Sequence, residues 1–182
     1  MIQRKIADYV NKVAKCYPVV TIMGPRQSGK TTLAQTRFPL HEYRNLEAED
    51  VLFAAKADPR KFLMNGRANM VIDEVQRFPA LLTYIQEMVD LNRVKGQFVL
   101  TGSHQPELGA AVSESLAGRT GICTLMPLSV EELKEAGVAV GAHPGFPDLM
   151  GFGSCVCWRV ALGNCSTRIR WRATSAFPLP PS

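Results

Sequence analysis

Nine consecutive residues, Gly24-Pro25-Arg26-Gln27-Ser28-Gly29-Lys30-Thr31-Thr32, fit the spacing G-x-x-x-x-G-K-[ST]. In a loop of this kind the backbone N–H groups turn inward around phosphates, and the helix that follows adds about half a positive charge at its N-terminus. The spacing predicts that Lys30 reaches the β- and γ-phosphates of a nucleoside triphosphate. It gives Thr31 a hydroxyl for Mg2+, a cation that takes hard oxygen ligands. Arg26 and Gln27 contribute backbone more than side chain.

A second group of residues points to the same chemistry. Asn69-Met70-Val71-Ile72-Asp73-Glu74 runs from apolar residues into two carboxylates, as expected where a buried strand ends at a site. Asp73 is the candidate to hold Mg2+. Glu74 is the candidate to orient and polarise the water that attacks the γ-phosphate. Adjacent residues on a strand face opposite ways, so both can serve only if the chain turns at the strand end. In Phe98-Val99-Leu100-Thr101-Gly102-Ser103, either Thr101 or Ser103 could reach the γ-phosphate and the attacking water. Arg119, in Ser115-Leu116-Ala117-Gly118-Arg119, is either an arginine finger for a neighbouring subunit or an ordinary salt-bridge partner.

These residues need a scaffold. Strand-like segments at Val19–Met23, His41–Asn45, Asn69–Asp73, Gln97–Thr101 and Gly121–Leu125 alternate with helix-like ones. The helix candidates are Thr31 to about Arg37, Glu47–Lys56, Pro59–Met64, Ala80–Asn92, Pro106–Ala117 and Val130–Ala136. That alternation predicts an α/β fold with a parallel sheet covered by helices on both faces. Ser129 with Glu132 three residues on predicts a capping box. Residues 1–17 read as a basic amphipathic helix with Ile2, Ile6, Tyr9, Val10 and Val13 on one side. Between Ala80 and Asn92, Leu81, Leu82, Ile85, Met88, Val89 and Leu91 form an apolar stripe.

The motifs together resemble the AAA+ superfamily of P-loop ATPases. The stretches Val19 to Thr32, Val71 to Pro79, Leu100 to Ser103, Ser115 to Arg119 and Pro127 to Ser129 are similar to a narrower bacterial and archaeal family. Its members pair an AAA domain with a C-terminal domain of uncharacterised function. The resemblance covers residues 1 to about 136. It implies a P-loop NTPase fold of AAA+ (ASCE) type with a five-stranded parallel sheet, in which one strand separates the loop strand from the Asp73 strand. It also implies ATP and Mg2+, with Lys30, Thr31, Asp73 and Glu74 in the roles given above, and a homo-oligomer if Arg119 is a finger. Proteins of this kind continue for a few hundred residues past the Pro127–Gly137 region, whereas here the sequence departs from them.

The 182 residues suggest one domain with a tail, and 46% of them are hydrophobic, an ordinary share. The net charge of +5 divides into +2 over residues 1–136 and +3 over 137–182, so the body gives little support for nucleic-acid binding. No run approaches the roughly 20 apolar residues that cross a membrane, and the odd count of five cysteines favours a reducing cytoplasm. Cys155, Cys157 and Cys165 with His143 are spaced poorly for zinc.

Residues 137–182 hold no lysine and a single acid, Asp148, yet both tryptophans and three of the five cysteines. This composition predicts a low-order tail, either read out of frame or a genuine flexible extension. Three functions follow for the whole: ATP hydrolysis, nucleotide-dependent partner binding without turnover, or a defective product. A small-molecule kinase is disfavoured, since no acceptor-site pattern accompanies the water-activating Glu74. Resequencing the gene decides the frame: a shift predicts a frame change upstream of codon 182, and an intact frame ending in a natural stop after Ser182 rules it out.

Overall fold

A computed structural model describes residues 2–64, 69–103 and 106–138, together with the backbone of 142–143 and 157–158. The chain divides into Met1–Gly137 and Val138–Ser182. In the second unit, two-residue strands at Ala142–His143 and Cys157–Trp158 pair antiparallel. The zinc candidates' side chains lie outside the described residues.

In the first unit α1 (Ala7–Cys16) leads into β1 (Val19–Gly24), then α2 (Lys30–Arg37), β2 (Glu42–Asn45), α3 (Glu49–Ala57) and α4 (Pro59–Met64). After these come β3 (Met70–Asp73), a 3-10 turn at Val75–Arg77, α5 (Leu81–Leu91), β4 (Phe98–Ser103), α6 (Pro106–Ser115), β5 (Thr120–Thr124) and α7 (Val130–Glu135). The five strands form one sheet in the order β2-β3-β4-β1-β5, and every neighbouring pair is parallel. β4 therefore separates β1 from β3, as the family resemblance implied.

Parallel strands joined by crossover helices are covered on both faces and read as continuous apolar runs. β1, β3 and β4 are buried at every position. Their alternation sorts the core into two halves. Val19, Met23, Met70, Ile72, Phe98 and Leu100 face one way and pack with residues of α3, α4, α5 and α6. Val20, Ile22, Val71 and Val99 face the other way and pack with Ala7, Val10 and Val13 of α1 and Leu33 and Ala34 of α2. The side-chain period of two along each strand thus assigns every helix to a face.

Two positions of the expected stripes differ. Tyr9 is 55% exposed, because it precedes Val10 by one residue and so points about 100° away from the Ala7–Val10–Val13 row. Leu91, the last residue of α5, is 87% exposed, past the final contact of the row through Ile85 and Val89. The capping box at α7 is complete, with Ser129 Oγ accepting from the Glu132 N–H and the Glu132 carboxylate accepting from the Ser129 N–H.

Leu100 is fully buried in the central strand. Leu100→Ala is expected to destabilise the unit by about 2–5 kcal/mol, measured by urea unfolding, with Leu91→Ala near wild type as the exposed control.

Candidate functional site

All five strands run the same way, so the C-terminal ends of β1, β3 and β4 open at one edge, where ligands of open α/β sheets bind. β1 ends in Gly24, directly across from Ser103 of β4. A Cβ on Gly24 would overlap the carbonyl oxygen of Leu125, so only glycine lets the two backbones approach here. Gln27 and Gly29 adopt left-handed conformations with φ of 61° and 89°, which wrap the loop and turn its N–H groups inward. α2 then begins with no side-chain cap at Gly29, leaving its first N–H groups for a ligand. Lys30 is 6% exposed, and its Nζ donates to Pro25 O at 2.9 Å. Pro25, Arg26, Gln27 and Thr32 are exposed, and Ser28 is buried.

Asp73 ends β3 and is 3% exposed. Thr31 Oγ1 donates to its Oδ2 at 2.8 Å and Tyr43 Oη donates to the same oxygen at 2.7 Å. Thr101 Oγ1 donates to Oδ1. One carboxylate thus gathers hydroxyls from α2, β2 and β4. Burial first, and then the bond to Asp73, push the Tyr43 phenol above its ordinary pKa, so it remains a protonated donor.

The chain turns immediately after Asp73. Glu74 sits at φ 57°, a left-handed conformation that costs a non-glycine residue about 1–2 kcal/mol. This is the break in strand alternation that two adjacent functional carboxylates require. The Glu74 charge lies near enough to raise the Tyr43 pKa, and its Oε2 accepts from Gln76 Nε2.

Thr101 and Ser103 occupy distinct positions. Thr101 is spent on Asp73. Ser103 is buried beside Gly24, and its hydroxyl has no partner among the described residues. Arg119 is at the other end of the sheet. Its carbonyl accepts from the N–H of Val19, the first residue of β1, and its guanidinium forks onto Asp90 at 2.7 and 2.8 Å. Within one chain it does not meet the loop.

The donor set suits a magnesium nucleotide. The Thr31 hydroxyl and the Asp73 carboxylate are hard oxygen ligands in direct contact, and a cradle of backbone N–H groups lies beside them with a buried lysine. Sequence reasoning missed Tyr43 and Gln76. A tyrosine on a short half-buried strand carries no local signal, since its partner is 30 residues away.

A family model described as AAA domain matches residues 17–134. The chain belongs to that AAA family. Uncharacterized proteins of Mycobacterium bovis and Mycobacterium tuberculosis are each 37% identical over 132 residues, which is 72% of this chain and 30% of theirs. This AAA chain thus spans under a third of the length of those relatives. Among solved structures it is similar to a STAND signal transduction ATPase from Pyrococcus horikoshii, at TM-score 0.48, 20% identity, 74% of this chain and 24% of the other. A Thermotoga maritima RuvB gives TM-score 0.48 and 22% identity over 73% of this chain and 48% of the other. A second family model, LamB/YcsF, matches residues 116–156. In line with it, a 5-oxoprolinase component of Heliobacterium modesticaldum is 62% identical over 29 residues, 16% of this chain and 11% of that protein.

No helix among the described residues is long and apolar enough to cross a membrane.

Tyr43→Phe removes one of the three hydroxyls on Asp73. It is expected to lower stability by about 1–2 kcal/mol in urea unfolding, while Tyr9→Phe, at an exposed position, leaves the midpoint unchanged.

Proposed function

We propose that residues 18–136 bind ATP with Mg2+ and hydrolyse it. The observation that carries this reading is the Asp73 carboxylate held between Thr31 of the loop helix and Thr101 of β4, with Glu74 thrown out of the strand by its left-handed turn. The N–H groups from Gly24 to Thr32 and the Lys30 ammonium bind the phosphates. Thr31 and Asp73 would hold Mg2+, which when bound neutralises charge on the β- and γ-phosphate oxygens. Glu74 takes the proton from a water whose oxygen attacks the γ-phosphorus, while the bond to the β–γ bridging oxygen breaks and ADP leaves. Ser103, with a free hydroxyl beside Gly24, hydrogen-bonds the γ-phosphate or the water. Thr101 acts by holding Asp73.

Any action of Arg119 at a γ-phosphate belongs to a neighbouring copy and requires release of its fork on Asp90. The domain works in the cytoplasm. What the cycle drives belongs to partners outside this unit, and the 29-residue similarity to the 5-oxoprolinase component is too small a share of that protein to assign its activity here. That similarity does bear on the reading frame. Because the family match continues to residue 156, we infer that any change of frame lies beyond it.

The deciding experiment is phosphate release with Mg2+-ATP by the wild type, Lys30→Ala and Glu74→Gln, with ATP-induced thermal stabilisation measured in parallel. The wild type is expected to turn over. Lys30→Ala is expected to lose both binding and turnover, and Glu74→Gln to keep binding while losing about 10²–10⁴-fold in rate. Stabilisation of the wild type without turnover replaces hydrolysis with a nucleotide-dependent binding module. A wild type that shows neither stabilisation nor turnover overturns the nucleotide reading itself.

A further inference from the structure

Arg4 lies ahead of α1, far in sequence from every motif, yet its side chain is only 12% exposed. Its guanidinium meets three groups at once. Nη1 donates to the Ser28 carbonyl at 2.7 Å, Nη2 donates to the Met126 carbonyl, and Nε donates to Glu132 Oε1 at 3.2 Å. The first contact is to the phosphate loop. In a trans peptide the C=O and the following N–H point to opposite sides. Holding Ser28 O on the underside of the loop therefore aims the Gly29 N–H toward the side where phosphates bind. Nη1 also lies 3.5 Å from the place a Cβ would take on Gly29, so the guanidinium backs the loop at its left-handed residue.

The other anchor is Glu132, a carboxylate with 6% exposure. Its Oε1 accepts from the Lys5 N–H at 2.8 Å as well as from Arg4, and its Oε2 accepts from the Ser129 N–H at 2.9 Å. Burial alone would raise its pKa. The N–H groups of Ser129 and Lys5 and the Arg4 guanidinium outweigh burial and lower it, so it is ionised at neutral pH. The residue that closes the capping box of α7 is therefore the one that braces the arginine under the loop.

We propose that Arg4 is a positioning residue of the phosphate loop and that the Arg4–Glu132 pair couples the loop to α7. This rests on the nucleotide reading above. A ligand that draws on the Gly29 N–H stiffens the Ser28 carbonyl on Arg4, and through Glu132 it stiffens the first turn of α7. By reciprocity, loosening Glu132 weakens nucleotide binding although Glu132 touches no part of the loop. A lysine cannot substitute at position 4, because one ammonium does not span three acceptors held by a planar fork.

The test titrates a fluorescent ATP analogue with Mg2+ into the full chain as wild type, Lys30→Ala, Arg4→Ala, Arg4→Lys, Glu132→Gln and Glu135→Gln. It also follows hydrogen exchange of residues 130–135 with and without nucleotide. Arg4→Ala and Arg4→Lys are expected to lose about tenfold or more in affinity, and Glu132→Gln a smaller but measurable share. Glu135→Gln, whose carboxylate is 66% exposed against Lys5, should bind as the wild type does. Nucleotide should slow exchange in α7 of the wild type but not of Arg4→Ala. A merely structural Arg4 would leave that difference intact. Affinity in Arg4→Ala within about twofold of the wild type, full rescue by lysine, or α7 exchange that ignores nucleotide in a wild type that binds it overturns the inference. A wild type that binds no better than Lys30→Ala overturns the nucleotide reading and the coupling with it. Should Arg4→Ala not fold, Glu132→Gln carries the same comparison.

Discussion

A buried carboxylate must be matched by donors, because an unpaired charge in a dry interior is too costly to keep. Asp73 meets that demand with three hydroxyls drawn from three elements, and much of the site follows from it. Thr31 can reach Asp73 only if the loop closes tightly enough to start α2 against the end of β3. Thr101 can reach it only if β4 lies next to β3, and Tyr43 only if β2 lies on the other side. The strand order β2-β3-β4-β1 is what brings these hydroxyls to a single carboxylate. A sheet with β1 beside β3 would put the loop and its threonine in the place that β4 now fills.

The second constraint is conformational. Gln27, Gly29 and Glu74 all take left-handed backbone conformations at the same edge of the sheet, two of them without the freedom of glycine. Such residues persist where their surroundings over-determine them. Around Gln27 and Gly29 these surroundings are the close approach of Gly24 to Leu125 and the guanidinium of Arg4 under Ser28 O. Around Glu74 they are the fixed end of β3 and the 3-10 turn closed by the Arg77 N–H on the Glu74 carbonyl. The rigidity of the sheet is thus used to hold loop geometry that short isolated turns would not keep.

The loop, the two carboxylates and the Thr101–Ser103 strand end were legible in the sequence because each is local. A run of fourteen residues or fewer carries both the strand and the side chains at its end. The strand boundaries came out within a residue or two for the same reason, since a buried parallel strand reads as a continuous apolar run. Composition and spacing could not supply the pairs that close over long separations. Tyr43 with Asp73 spans 30 residues, and Arg4 with Glu132 spans 128. Glu132 was visible as half of a capping box, which is a local pattern. Its second duty toward Arg4 was not, because nothing near either residue points to the other. Tyr9 and Leu91 failed for a different reason: an apolar residue at the margin of a helical stripe can face either way, and only the neighbouring element decides.

The tail raises a question of a different order. Up to about residue 136 the composition is balanced and the AAA match applies. Beyond it lysine vanishes and the similarity passes to LamB/YcsF, with the two matches overlapping only between residues 116 and 134. The 41 residues of the LamB/YcsF match sit at the lower limit of what usually folds on its own core. The stretch is therefore too short to act as a second folded module with its own chemistry, however high the identity over 29 of its residues. The Arg4 brace has a bearing on this boundary. Met126 and Glu132 lie within the overlap of the two matches, and both are held by a residue from the start of the chain. The AAA unit thus closes on itself through α7, a helix complete with its own cap, before the sequence changes character. Its site is assembled from residues that all precede that change.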